Sequence, residues 1–330
     1  MKARISLILL AASAFALLFT PAAQAWGCKG HQTIALIAEK HLTPAAKQLA
    51  AALLAVDPGR HSNGTPCGTT GLDPFAAAAT WADAVRIQGT DSGFHFIDIP
   101  RGGSQADIAA ICAKPESCVT KAIADQVLIL EDKNADPKLR AAAIRYIIHL
   151  VGDLHQPLHC TTNGDRGANC VPVGYFKSTP HPVTSTASLD DYNPNLHAVW
   201  DVQILEKDMK AQTAASAQAY ATVLDAAFKN EIAVWKTEGI HLEDWAWDSH
   251  EHAEDISYGD LPKNIPIDAH PDADVTTCSD NKRIGNRMLH KHIILAQPYQ
   301  DEAASVVEER LAMAGIRLAV ILNDAATNLH

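Results

Sequence analysis

Apolar residues recur at the three- and four-residue spacing of a helix through 34–54, 107–132, 136–154, 208–235, 242–258 and 301–322. Strong helix formers fill the positions between them. Between these segments, 160–195 is rich in Gly, Asn, Pro, Ser and Thr and is expected to be a long loop, with a hairpin near 171–176. A second loop is expected over 58–73. The pattern predicts an all-α chain: a single, mainly helical domain over 26–330 whose long loops shape access to a site.

One predicted helix carries polar residues into its apolar stretch. His149 and Asp153 stand four apart in His-Leu-Val-Gly-Asp, so on a helix they lie one turn above the other and close on a single point. Pro157 ends that helix and re-aims His159. A lone pair of this kind is usually a satisfied core histidine with a capping carboxylate, but the spacing recurs at His197 and Asp201, around apolar Val199 and Trp200. His31, Asp83 and His95 likewise interrupt apolar or aromatic surroundings. Burying imidazole and carboxylate is costly unless they are hydrogen-bonded or hold a metal. These candidates run from 26 to 201 and must converge, which favours one domain.

The first 25 residues have the form of an export signal. Lys2 and Arg4 precede an apolar run from Ile5 to Leu18, and Ala23-Gln24-Ala25 fits a small-x-small cleavage pattern. Cleavage would leave Trp26 as the N-terminus of an exported protein, periplasmic or extracellular, with no membrane anchor. Losing two of the 27 basic residues takes the formal net charge from −11 to −13. That charge excludes a basic nucleic-acid-binding surface, so any activity on phosphates must draw its positive charge from metals and a few side chains. Seven cysteines suit an oxidising compartment. Cys112–Cys118 and Cys160–Cys170, close in sequence, are the expected disulfides, with one odd thiol among Cys28, Cys67 and Cys278.

The ordered series Trp26-Gly-x3-His31, Trp81-Ala-Asp83, His95-Phe-Ile-Asp, His149-x3-Asp153-x-His-Gln-Pro-Leu-His159, Asn195-Leu-His197-x2-Trp-Asp201 and Ala314-Gly-Ile-Arg-Leu-Ala-Val-Ile-Leu-Asn323 resembles the zinc-dependent single-strand nucleases of fungi and plants. Those share an all-α superfamily with bacterial zinc phospholipases C. The resemblance implies three Zn2+ in a cleft stapled by disulfides. Asp83, His95 and His149 would hold one, and Asp153 would bridge it to a second chelated by Trp26 and His31. His159, His197 and Asp201 would hold the third. It further implies that a hydroxide shared by two zincs attacks the phosphodiester while Asp83 orients it.

Arg86 and Asn169 match phosphate contacts in that family, although the second glycine of its Gly-Gly-Asn is Ala168 here. Phe96 matches a base-stacking wall. The implied substrates are single-stranded DNA and RNA, cut to 5′-phosphorylated products, and 3′-nucleotides; the implied state is a monomer with no stable protein partner. Two alternatives are a zinc phospholipase C and a non-catalytic zinc protein. The short Trp26-to-His31 spacing and Asp201, where resembling phospholipases carry glutamate, argue against the first. The second is opposed by the set His159, His197 and Asp201, because structural zinc sites are usually closed by four protein ligands.

Overall fold

A computed structural model describes residues 26–60, 67–69, 71–86, 91–114, 118–182, 192–268, 278 and 291–330. The proposed export signal lies outside the described residues. The helices are α1 (Gly27–His41), α2 (Pro44–Leu54), α3 (Pro74–Ala78), α4 (Trp81–Val85), α5 (Asp107–Cys112), α6 (Val119–Glu131), α7 (Pro137–Leu154), α8 (Leu196–Ala198), α9 (Ile204–Ala211), α10 (Ala217–Ala227), α11 (Lys229–Trp235), α12 (Leu242–His252) and α13 (Gln297–Thr327). Wide π turns over Val199–Gln203 and Ala253–Tyr258 extend α8 and α12. The chain is mainly helical, as its periodicity predicts.

Three of the long expected helices are broken, each for a local reason. The segment 34–54 bends at Leu42: Thr43 turns extended, its hydroxyl caps the Ala46 amide at 3.2 Å, and Pro44 begins α2. The segment 107–132 is interrupted where the Cys112–Cys118 disulfide closes its short loop. The segment 208–235 becomes the end of α9 followed by α10, capped by the Ser216 hydroxyl on the Ala219 amide at 3.2 Å, and α11. By contrast, α13 outruns its expected bounds at both ends.

The strands are short. β1 (Gly174–Tyr175) pairs in parallel with β4 (Ile294–Leu295), and β2 (His181–Pro182) pairs antiparallel with β3 (Tyr192–Asn193). The expected hairpin over 171–176 is therefore corrected. The Gly174 amide reaches the Ile293 carbonyl at 2.7 Å and the Phe176 amide the Leu295 carbonyl at 2.8 Å, a partner more than a hundred residues downstream.

A continuous apolar core packs α1, α7 and α13 together. α13 threads the molecule, and its family-like stretch has identifiable duties. A methyl at Gly315 would stand 2.5 Å from the Ile37 side chain, so only glycine permits this approach of α13 to α1. Asn323 accepts from the Thr43 amide at 2.7 Å and donates to the His41 carbonyl at 3.2 Å, fixing the α1–α2 corner. Arg317 donates to His155 Nε2 at 3.1 Å, and buried Arg310 donates to the His155 carbonyl at 3.3 Å. These contacts pin the end of α7. At the other end of α2, Arg145 donates to the carbonyls of Leu54 and Val56 at 2.9 and 3.2 Å, satisfying groups the helix leaves unpaired.

The disulfides are Cys28–Cys67, Cys112–Cys118 and Cys170–Cys278. The expected Cys160–Cys170 bridge is corrected: Cys160 is a buried free thiol whose sulfur faces the Leu154 carbonyl at 3.3 Å, inside the core.

Candidate metal centre

α7 supplies the centre of the site. Asp136 caps it on the Lys138 amide at 2.8 Å, Pro137 starts it, and from Tyr146 through Leu154 every residue is buried. His149 and Asp153 therefore leave one face of a rigid rod, with His149 Nε2 3.2 Å from Asp153 Oδ2. The same oxygen lies 2.9 Å from His95 Nδ1, while Asp153 Oδ1 lies 3.3 Å from His31 Nε2. One carboxylate thus faces two sets with separate oxygens. Asp83 Oδ1 completes the first set at 3.5 Å from His95 Nδ1 and 3.6 Å from His149 Nε2.

The second set comes from α1. Trp26, which precedes the helix, and Gly27, its first residue, both take left-handed backbone, and the Trp26 indole donates to the Gly152 carbonyl at 2.8 Å. This turn brings His31 onto α7, with its ring stacked 4.0 Å from that of His149. His149 falls within reach of both sets. The third set is His159, His197 and Asp201. Helix α7 ends at Leu154, before Pro157, and Gln156 starts a tight turn over Pro157–His159 that redirects the chain. His159 Nε2 then stands 3.2 Å from His197 Nε2, which is 3.2 Å from Asp201 Oδ2.

Backbone carbonyls fix the tautomers. His149, His159 and His197 each direct Nδ1 at a carbonyl, of Ala79 at 2.7 Å, His95 at 2.6 Å and Gly167 at 2.6 Å. Their Nδ1–H groups are committed as donors, so Nε2 is the atom left to take up a proton or a cation. Two imidazole lone pairs facing each other at 3.2 Å repel unless a positive charge lies between them. Gln156 adds a further support by donating to Asp201 Oδ1 at 2.6 Å, leaving Oδ2 toward His197.

Both His31 ring nitrogens, His95 Nε2, Asp153 Oδ1 and Asp201 Oδ2 are buried with no hydrogen-bond partner. Buried polar atoms left this way are the exception in folded proteins. Donors about 2.0–2.2 Å from a tetrahedral cation stand about 3.3–3.6 Å apart, close to the 2.9–3.6 Å spacings within these sets. The residues present therefore fit divalent cations.

Protonation reports the same field. Burial lowers the His149 pKa, but the Asp153 and Asp83 carboxylates outweigh it and raise the ring to about 9. Burial likewise opposes charge on His197, and Asp201 overcomes it. The Asp153 carboxyl would be raised by burial, yet His149, His31 and His95 hold it well below the usual range. His159 is pushed down to about 4 by burial, so it is a neutral ligand-type imidazole near pH 7. The carboxylates favour positive charge at His149 and His197, whereas burial lowers His31 and His159.

The remaining sequence candidates lie around this centre. Arg86 follows α4 with Nη1 3.9 Å from Asp83 Oδ1 and a partly exposed side chain. Phe96 is half-buried, whereas Phe94 packs on the core and against Tyr146. Asn169 sits in the loop that offers the Gly167 carbonyl to His197, and its side-chain amide donates to the Arg166 carbonyl at 2.8 Å. His155 is buried and held between the Val151 carbonyl and Arg317, turned from the site as its two-residue offset from Asp153 implies.

The S1/P1 Nuclease family model matches residues 26–327. The chain belongs to the S1/P1 nuclease family. Nuclease S1 of Aspergillus oryzae is 27% identical over 332 residues, covering 97% of this chain and 98% of that protein. Endonuclease 4 of Arabidopsis thaliana is 26% identical over 314 residues, covering 90% and 88%, and Nuclease P1 of Penicillium citrinum is 26% identical over 205 residues, covering 60% and 65%. In this chain, Gln156 and the carbonyls of Ala79, His95 and Gly167 are supports that sequence reading misses. Gln156 was visible only as part of the motif; the carbonyls leave no trace in residue type.

Proposed function

We propose that this chain is an exported, zinc-dependent endonuclease that hydrolyses single-stranded DNA and RNA to 5′-phosphorylated products and removes phosphate from 3′-nucleotides. The observation that carries the reading is the cluster of buried, unpartnered imidazole and carboxylate atoms beside half-exposed Phe96 and Arg86, in a nuclease-family chain. Asp83, His95, His149 and Asp153 would hold one zinc; Asp153, His31 and the amine and carbonyl of Trp26 a second; His159, His197 and Asp201 the third. Zinc bound there supplies Lewis-acid activation of water at neutral pH and neutralises charge on the phosphate.

The chain's own residues do the rest. Asp83 accepts a hydrogen bond from the attacking water and orients it. Arg86 offers a planar fork to the phosphate oxygens, Asn169 adds an amide contact, and the Phe96 ring stacks on a base. The acidic surface gives a duplex no electrostatic grip, so substrates whose bases unstack are favoured. Trp26 is a ligand only once freed at its amine, because a peptide nitrogen is not a basic donor. Signal cleavage would then build part of the site, and three disulfides suit the exported location.

Purified mature protein is expected to hold three zincs by elemental analysis, to cut single-stranded DNA and RNA, and to leave phosphatidylcholine intact. Faster turnover of phosphatidylcholine than of single-stranded DNA rejects the nuclease reading. One zinc per active chain rejects the trinuclear centre.

A further inference from the structure

Beyond β1 the chain presents an aromatic ring in an unfavourable conformation. Phe176 has φ 54, in the left-handed region that bulky side chains avoid, although its amide is fixed on the Leu295 carbonyl at 2.8 Å. Its half-exposed ring meets the edge of Tyr175 at 4.8 Å between centroids, and Lys207 Nζ stands over the ring 4.1 Å from its centroid. Strain of this kind persists only where the surroundings enforce it, and it gathers at ligand-binding positions.

The patch is tied to the candidate metal centre. Tyr175 donates its hydroxyl to the Gln203 carbonyl at 3.3 Å and bonds the Gln300 side chain. Gln203 lies two residues beyond Asp201. Lys207 lies six beyond it, on α9, which follows directly from the π turn that carries Asp201. Among the described residues Lys207 has no carboxylate partner, whereas its neighbour Glu206 is paired with Lys29 at 2.8 Å. In a chain of formal net charge −11, Lys207 offers a positive charge held on an aromatic face.

We propose that Phe176 and Lys207 form an outer subsite for single-stranded polynucleotide, an assignment that rests on the nuclease reading above. The ring stacks a base of a nucleotide lying outside the metal centre, and the ammonium pairs with an adjoining phosphate. The flexible Lys207 stem lets its charge leave the ring for the phosphate, opening the face that the base then covers. Stacking tolerates any base, so the subsite adds affinity for strand length without sequence preference.

The test compares steady-state kinetics on a single-stranded DNA oligonucleotide of about ten residues with those on a 3′-mononucleotide, a length within the range of single-strand binding sites. Phe176→Gly removes the ring while suiting the positive φ, so it is expected to fold and keep its zinc. Its oligonucleotide KM should rise about 5- to 100-fold, as loss of one stacked base implies, with the mononucleotide KM unchanged. Phe176→Tyr should restore wild-type values. Lys207→Ala should weaken the oligonucleotide and reduce the salt dependence of log kcat/KM by about one phosphate contact. An unchanged oligonucleotide KM in Phe176→Gly, or an equal rise on the mononucleotide, overturns the subsite. Wild-type protein that cleaves no single-stranded DNA overturns the nuclease reading itself.

Discussion

At Gly152 the main chain of α7 comes so close to α1 that a methyl group would stand 2.8 Å from His31 Nδ1 and 3.1 Å from the Ile34 side chain. Gly152→Ala should push the imidazole away from Asp153 and cost about 1–3 kcal/mol of overpacking. The expected result is loss of the metal held by His31 together with a lowered Tm, read by elemental analysis and thermal melts. Full metal content at an unchanged Tm would show that α1 and α7 yield without harm. At the outer wall of the site, Phe96→Ala should raise KM for oligonucleotides by the equivalent of about 1–3 kcal/mol of lost stacking, and Arg86→Ala should lower kcat/KM for every phosphate substrate. Both variants should retain metal; an unaltered oligonucleotide KM would remove Phe96 from the substrate contacts.

Two elements beyond the site carry a pH dependence of their own. Asp208 on α9 accepts the Tyr220 hydroxyl at 2.5 Å, and Glu308 on α13 accepts from Gln212 at 2.9 Å. Burial and the neighbouring Asp208 raise Glu308 to about 7. A carboxyl whose folded pKa is raised favours the fold below its unfolded value of 4.5, and that advantage is lost as pH climbs through 7. Glu308→Gln keeps the acceptor for Gln212 and removes the charge. Its Tm should exceed that of the wild type at pH 8 and match it near pH 4.5, as measured by calorimetry. Equal Tm values at pH 8 would mean that solvent screens the pair. The Arg317 contact to His155 and the Asn323 contacts to the α1–α2 corner are expected to be unaffected, since they lie further along the helix.

Across the whole molecule, the disulfides decide how distant segments are held. Cys28–Cys67 fastens the start of α1 to a loop 39 residues on, and Cys170–Cys278 closes a separation of 108 residues next to the loop that carries Gly167 and Asn169. Non-reducing peptide mapping should recover these two bridges and Cys112–Cys118, with Cys160 as the free thiol. Burial pushes the Cys160 pKa up to about 12, so alkylation of native protein should be slow and become rapid on unfolding. A Cys160–Cys170 linkage in active protein would contradict this arrangement. None of the described helices is long and apolar enough to cross a membrane.

Residue type and short spacing by themselves determined the helical class and the candidate ligands, because both depend on a few neighbouring positions. His149 with Asp153, and His197 with Asp201, are pairs that one helical turn creates wherever the helix is placed. Apolar periodicity ran across the helix breaks at Thr43-Pro44 and Ser216, which the caps impose in the folded chain. Only the tertiary structure decided which oxygen of Asp153 faces His31, which carbonyl fixes each imidazole, and that Tyr175 pairs with a strand near residue 295 rather than folding into a hairpin. The same holds for Cys170, whose partner is far along the chain while the nearer Cys160 is sealed in the core. Carbonyl groups are identical in every residue, and contacts across a hundred positions follow from how whole helices pack, so neither leaves a periodic signal in the sequence.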